Sequence, residues 1–151
     1  MTTMAFDVAY RTGWACSDGM VGSIDLSEHK GDLAWMGLVL SSHVDRLIAQ
    51  HHVTELVIER PFYRAGGTAV YALGGLAFVA HMRARCANVP RREVTAWEVK
   101  KWATGDRKAK KPAMVEAAKR LGWAPKNDDE ADAICILSYW LAKNGQQERA
   151  A

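Results

Sequence analysis

The chain has 151 residues, 49% of them hydrophobic, with 20 Lys+Arg against 17 Asp+Glu for a formal charge of +3. That length and composition exclude a disordered chain and predict one globular domain over residues 1–143 with a frayed tail at 144–151. The longest apolar run, Leu73 to Val79, is too short to span a bilayer, no basic region precedes an apolar stretch at the N-terminus, and Cys16, Cys86 and Cys135 lack CxxC spacing; a soluble cytoplasmic protein is expected rather than a membrane protein, a secreted disulfide scaffold or a zinc knuckle.

Met4–Val8 is a short apolar run holding one acid, Asp7. Gly13–Cys16 and Met20–Ile24 read as two further strands around the turn Ser17-Asp18-Gly19, an opening antiparallel meander. From Leu33 the period changes: Met36, Leu40, Val44, Leu47 and Ile48 recur at three- and four-residue steps, as in an amphipathic helix ending near His51. Thr54–Ile58 is a continuous β-favouring run closed by Glu59-Arg60-Pro61 and suits a buried central strand. Thr68–Cys86 is helical although it contains Gly74-Gly75. Such glycines cost about 1 kcal/mol each relative to alanine, and close packing of another backbone is a natural reason to accept them. Val89–Val94 predicts a last strand, and Ala96–Ala103, Pro112–Leu121 and Asp129–Lys143 predict three helices. This order implies an α/β fold, a mixed five-stranded sheet with helices on its faces, whose ligands gather at strand ends near the switch in strand order.

Charge is uneven along the chain. Residues 83–111 carry ten cations against three acids, a net +7 that leaves −4 for the remainder. A basic stretch on an otherwise acidic protein suggests a polyanionic partner.

Three groups of acids stand in unusual places. Asp7 lies inside the first strand and Glu59 closes the central one. A carboxylate among apolar neighbours is costly unless a cation pairs it. The third group is Asn127-Asp128-Asp129-Glu130-Ala131-Asp132, ahead of Ile134-Cys135-Ile136-Leu137. Asn127 or Asp128 can cap the helix, and acids in its first turn complement the dipole. Capping does not explain Asp132, which falls on a packed helix; both Asp128 and Asp129 share a face with it, and spacing does not choose between them. Four carboxylates drawn together need divalent cations, and hard oxygen ligands select Mg²⁺ or Mn²⁺ over zinc. Two such ions suit phosphodiester cleavage, so acids plus a basic patch point to a nuclease. The five histidines show no metal-ligand spacing, and the six tryptophans are expected mostly in the core.

Asp7-Val8-Ala9-Tyr10-Arg11-Thr12-Gly13-Trp14-Ala15 resembles the opening D-x-(x)n-T-G-W/Y-A of RuvC-like Holliday junction resolvases, and Leu56-Val57-Ile58-Glu59 resembles their second acidic strand. Val99-Lys100-Lys101 with Thr104-Gly105 and Ala109-x-Lys111 resembles their lysine segment, and Asp129-Glu130-Ala131-Asp132-Ala133 their terminal D-x-A-D-A. The motifs occur in family order over residues 7–133, in a form closest to the phage and prophage branch.

The resemblance implies an RNase H-like fold and a structure-selective endodeoxyribonuclease acting on four-way junctions. It places the catalytic and metal-binding acids on Asp7, Glu59, Asp129 and Asp132, with two Mg²⁺ or Mn²⁺ ions per site. Lys100 and Lys111 fall on the family's functional lysines, and Phe62 on the aromatic that opens the junction by stacking on a base. DNA contacts are expected from Arg60, Arg64, Lys101, Arg107, Lys108 and Lys110. Arg107 replaces a family glycine, so the loop is expected to take another path, with Lys108 or Lys110 sharing the role of Lys111. A homodimer is implied by paired nicks across a junction, with helix Thr68–Cys86 as its interface, in a bacterial or phage-infected cytoplasm. The rival readings are an RNase H-fold nuclease acting on RNA or hybrids and a non-catalytic branched-DNA binding protein.

Overall fold

The computed structural model describes residues 1–61 and 67–150, with side chains through Gly145. Five strands, β1 (Thr3–Asp7), β2 (Arg11–Cys16), β3 (Val21–Asp25), β4 (Glu55–Glu59) and β5 (Arg91–Val94), form one sheet in the order β3-β2-β1-β4-β5. The first three are an antiparallel meander, whereas β4 and β5 run parallel to β1. The mixed five-stranded sheet expected from the sequence is therefore present.

Side-chain alternation along these strands builds two cores. Met4 and Phe6 of β1 and Leu56 and Ile58 of β4 face α1 (Leu33–Gln50) and α2 (Thr68–Cys86). Ala5 and Val57, on the opposite face, meet residues of α3 (Ala96–Thr104), α4 (Lys111–Arg120) and α5 (Asp128–Ala150), among them Val99, Met114 and Ile134. The same two-residue period sends Asp7 and Glu59 to the α5 face, each one position beyond the register pair Phe6↔Ile58.

Several boundaries differ from the sequence expectation for local reasons. A 3₁₀ turn at Ser27–His29 follows β3, held by Asp25, whose Oδ1 accepts from the Ser27 amide at 2.9 Å. α5 starts at Asp128 because Asn127 is its cap, its Oδ1 accepting from the Glu130 amide at 2.9 Å, and the helix continues to Ala150. A Cβ on Gly75 of α2 would lie 3.2 Å from Leu33 Cδ2, so that glycine admits a side chain of α1 rather than a backbone.

Candidate active site

Asp7 and Glu59 end two adjacent parallel strands, the place where such sheets present ligands. The first turn of α5 lies over them, and its approach is set by small residues. Ala131 and Ala133 are fully buried, and Gly13, opposite Asp7 in the β1–β2 register, sits directly beneath the helix. A Cβ there would fall 1.9 Å from the Asp129 carbonyl oxygen. Glu130 turns inward, and its Oε2 accepts from the Lys126 amide at 2.7 Å, fixing the incoming loop. Asp129 and Asp132 are left on the face toward the strand ends.

Asp7 senses the other three carboxyls, Glu59 senses Asp132 and Asp132 senses Asp129, and each of the four remains partly open to solvent. Loss of hydration, then the charges of Glu59, Asp132 and Asp129, holds Asp7 well above the ordinary carboxylate range, with Lys100 opposing. Burial and Asp132 push Glu59 up to about 7, again against Lys100. Asp132 is pushed up to about 6 by burial, with Lys100 opposing and Asp128 adding to the rise. Asp129 is raised by burial and by Asp128. Asp128 behaves differently: its hydrogen bond with Lys111 holds its pKa down, and it is absent from the charges acting on Asp7. Of the two helix acids that spacing leaves open, both raise Asp132, Asp128 more than Asp129, while Asp129 also raises Asp7.

Repulsive carboxylates with no nitrogen or sulfur donor among them suit a hard divalent cation such as Mg²⁺ or Mn²⁺. The repulsion itself is the sign of that fit, since positive charge among the four acids would lower every one of these raised values. No three of them are in near contact. Among the described residues, the group of three metal-capable side chains with ligand atoms within 4.8 Å of one another is Cys16, Asp18 and His51. That group lies at the other end of β1, where Cys16 pairs with Met4, and His51 Nδ1 stands 2.6 Å from Asp18 Oδ2.

The predicted cations divide into distinct settings. Lys100, half-buried on α3, lies in the field of Asp7, Glu59 and Asp132. Lys111, at the start of α4, is paired with Asp128 and also feels Asp129 and Asp132. A groove of about 1010 Å³ opens beside them; among the described residues its wall holds six cations, Arg60, Lys100, Arg107, Lys108, Lys110 and Lys111, and no acid. Arg60 is held within it by Glu93 Oε2, which accepts from Nε at 3.1 Å and from a terminal nitrogen at 2.9 Å. Lys101 is exposed and outside the groove. Phe62 and Arg64 lie outside the described residues.

The loop after α3 uses Gly105 at φ 81 as a left-handed cap, and Arg107 has no positive φ, so the path taken here does not call for a glycine at that position. One expectation needs revision. The tryptophans are not mostly core: Trp35, Trp97 and Trp102 are exposed, and none of the six is fully buried. Trp97, in the wall of the basic groove, carries no periodicity signal that distinguishes it from a packing residue.

Comparison with known proteins follows the same lines. The model of the family described as crossover junction endodeoxyribonuclease RuvC matches residues 4–138. The chain is similar to the crossover junction endodeoxyribonuclease RuvC of Anaeromyxobacter sp. (strain K), 36% identical over 109 residues, covering 72% of this chain and 58% of that relative. It thus spans somewhat over half the length of that relative. The structure of Thermus thermophilus RuvC matches with a TM-score of 0.77 at 17% identity, over 95% of this chain and 97% of that one. T. thermophilus RuvC in complex with Holliday junction substrate matches with a TM-score of 0.76 at 16% identity, over 90% of each chain. The fold is RNase H-like, as the sequence motifs implied.

Proposed function

We propose, from the premise that this chain belongs to the RuvC family of crossover junction endodeoxyribonucleases, that it is a metal-dependent endonuclease resolving four-way DNA junctions and related branched DNA. The observation that carries this reading is the meeting of Asp7 and Glu59, at adjacent strand ends, with Asp129 and Asp132 of α5, beside a groove whose described residues include six cations and no acid. A duplex carries about one negative charge per 1.7 Å of its axis, and such a groove suits that backbone.

In this reading the four acids hold a pair of Mg²⁺ or Mn²⁺ ions. Bound there, the ions would supply an activated water and neutralise charge at the scissile phosphate. The chain's own groups do the rest. Asp7 and Glu59 are fixed by the sheet, so their carboxylates do not reorganise when substrate arrives. Lys100, close enough to be felt by three of the acids, holds the scissile-strand phosphate at the metal site. Lys111 offers a second ammonium, oriented by Asp128 until a phosphate competes for it. Arg107, Lys108 and Lys110 follow the backbone along the groove.

Two nicks across a junction need two sites, so the active species is a homodimer. Tyr71, Phe78 and Met82 of α2 support this: they are exposed at seven- and four-residue spacing on one helix face, an apolar stripe of the kind that marks interfaces. Light scattering is expected to give twice the chain mass of 16.7 kDa, and Phe78→Glu to halve it; a monomeric wild type at micromolar concentration contradicts the dimer. Three free cysteines, two of them buried, fit a reducing bacterial or phage-infected cytoplasm. Among the described residues no helix is long and apolar enough to cross a membrane.

A substrate panel tests the reading: four-way junction, flap, linear duplex and RNA–DNA hybrid of matched sequence, at one salt concentration. The four-way junction is expected to be cut fastest. Preferential cutting of the hybrid would move the protein to the RNA-directed nucleases of this fold.

A further inference from the structure

Trp97 stands among the cations of the groove without a role in the metal site. It is 53% exposed on the first turn of α3, and among the described residues it is the one aromatic in the wall of the six-cation groove. A half-solvated tryptophan forgoes much of the stabilisation its burial would bring, and nothing in the packing of α3 asks for it: Val99 makes the buried contact of that helix. Its position is also well fixed. Thr95 and Glu98 form a reciprocal cap on the first turn, with the Thr95 amide donating to Glu98 Oε2 at 3.0 Å, so the backbone that presents the indole is locked on both sides of it. One helical turn further on, at i+3, stands Lys100, the ammonium that acts on Asp7, Glu59 and Asp132.

A flat apolar ring among cations, one helical turn from Lys100, has a chemically definite complement. The cations answer the phosphates, while the ring answers the face of a base. In a duplex those faces are hidden in the stack; only an unpaired or splayed base, as at a branch point, offers one.

We propose that Trp97 is a stacking platform for an unpaired nucleobase at the branch point, and so a specificity-determining residue that separates junctions from linear duplex. The proposal rests on the branched-DNA reading given above and names the group that recognises the branch. The surrounding cations supply affinity for any nucleic acid in the groove. Trp97 adds to it only where a base face is free.

The test measures binding of the full chain in EDTA, at constant salt, to a four-way junction, a linear duplex and a single strand of matched sequence. The junction carries 2-aminopurine at each branch-point position in turn. Trp97→Ala is expected to weaken junction and single-strand binding about ten-fold or more and to leave duplex binding within about two-fold, since stacking is lost and phosphate contacts are not. Trp97→Phe, which keeps a ring, holds most of the affinity. Wild type changes the emission of 2-aminopurine at one branch position, and Trp97→Ala does not. Arg107→Ala, by contrast, weakens all three nucleic acids alike. Equal losses on all three for Trp97→Ala, or no loss on any, overturn the proposal, provided its melting temperature matches wild type; if it melts lower, Trp97→Phe decides, and a junction-to-duplex ratio that falls to one in that variant with the fold intact also overturns it. A wild type that binds duplex as tightly as junction defeats the branched-DNA reading instead, and the single-strand arm then still decides whether Trp97 stacks on a base.

Discussion

Asp7→Asn is expected to abolish junction cleavage, by about 10³-fold or more, and at the same time to raise the melting temperature of the metal-free protein. The loss follows from the metal site: a carboxylate that helps hold the ions contributes several kcal/mol to the transition state, and each 1.4 kcal/mol is about a factor of ten in rate. The gain in stability follows from the same residue's surroundings. Asp7, Glu59, Asp129 and Asp132 all have pKa values raised in the folded protein. A carboxyl of this kind contributes stability that is present in full below its unfolded value, near about 4, and lost as pH rises through its folded value. For Asp132 and Glu59 those folded values are about 6 and about 7. The metal-free wild type should therefore melt highest near pH 5 and fall toward pH 8. Asparagine removes a charge from the centre of the cluster, flattening that fall and raising the pH 8 melting temperature by about 4 °C or more. Millimolar Mg²⁺ or Mn²⁺ should stabilise wild type at pH 8 and the variant much less. Thermal melts in EDTA and in metal read all of this. A variant that melts below wild type at pH 8 in EDTA would show that the carboxylates do not crowd one another.

Gly13→Ala is expected to be the most damaging single methyl group in the chain. The added Cβ would lie 1.9 Å from the carbonyl oxygen of Asp129 and 2.5 Å from its carbon. Both sides of the clash are backbone, one in a sheet strand paired on both edges and one in the first turn of a helix, so no rotamer change relieves it. Either the strand or α5 must move by about an ångström. Overpacking of this kind costs about 1–3 kcal/mol and sometimes more. The helix that moves carries Asp129 and Asp132, and a misplacement of about 1 Å at a reacting centre can cost about 10²-fold in rate. The expected result is a lower melting temperature together with a cleavage defect that saturating Mg²⁺ does not repair. Wild-type activity and melting in Gly13→Ala would mean that α5 is not seated on β2 as described.

These residues also show what the sequence could and could not disclose. Strand alternation and helical period located every strand and α-helix among the described residues, and Asp7, Glu59 and Asp132 drew attention because charge in those positions opposes burial. Gly13 gave no such signal. Its role depends on a helix that starts 115 positions later at Asp128, and nothing in Thr12-Gly13-Trp14 alone announces that approach. Asn127 and Asp128 were equal as helix caps by residue type; the choice is made by Lys111, which takes Asp128 for an ion pair while Asn127 bonds the Glu130 amide. The tryptophans misled for a related reason. Hydrophobicity ranks them with core residues, yet a large ring with a polar N–H fits surfaces that meet a partner. Trp140 illustrates the intermediate case, half-buried with its Nε1 donating to Glu55 Oε2 at 2.8 Å.

The most direct test of the central claim is to map the cuts on an immobile four-way junction labelled on each strand in turn, in Mg²⁺ or Mn²⁺. Two nicks are expected at symmetry-related positions on opposing strands, dependent on the divalent ion and absent with Asp7→Asn, which still binds the junction. Tight binding by wild type with no nick in either metal would contradict it and leave a protein that holds branched DNA without cutting it.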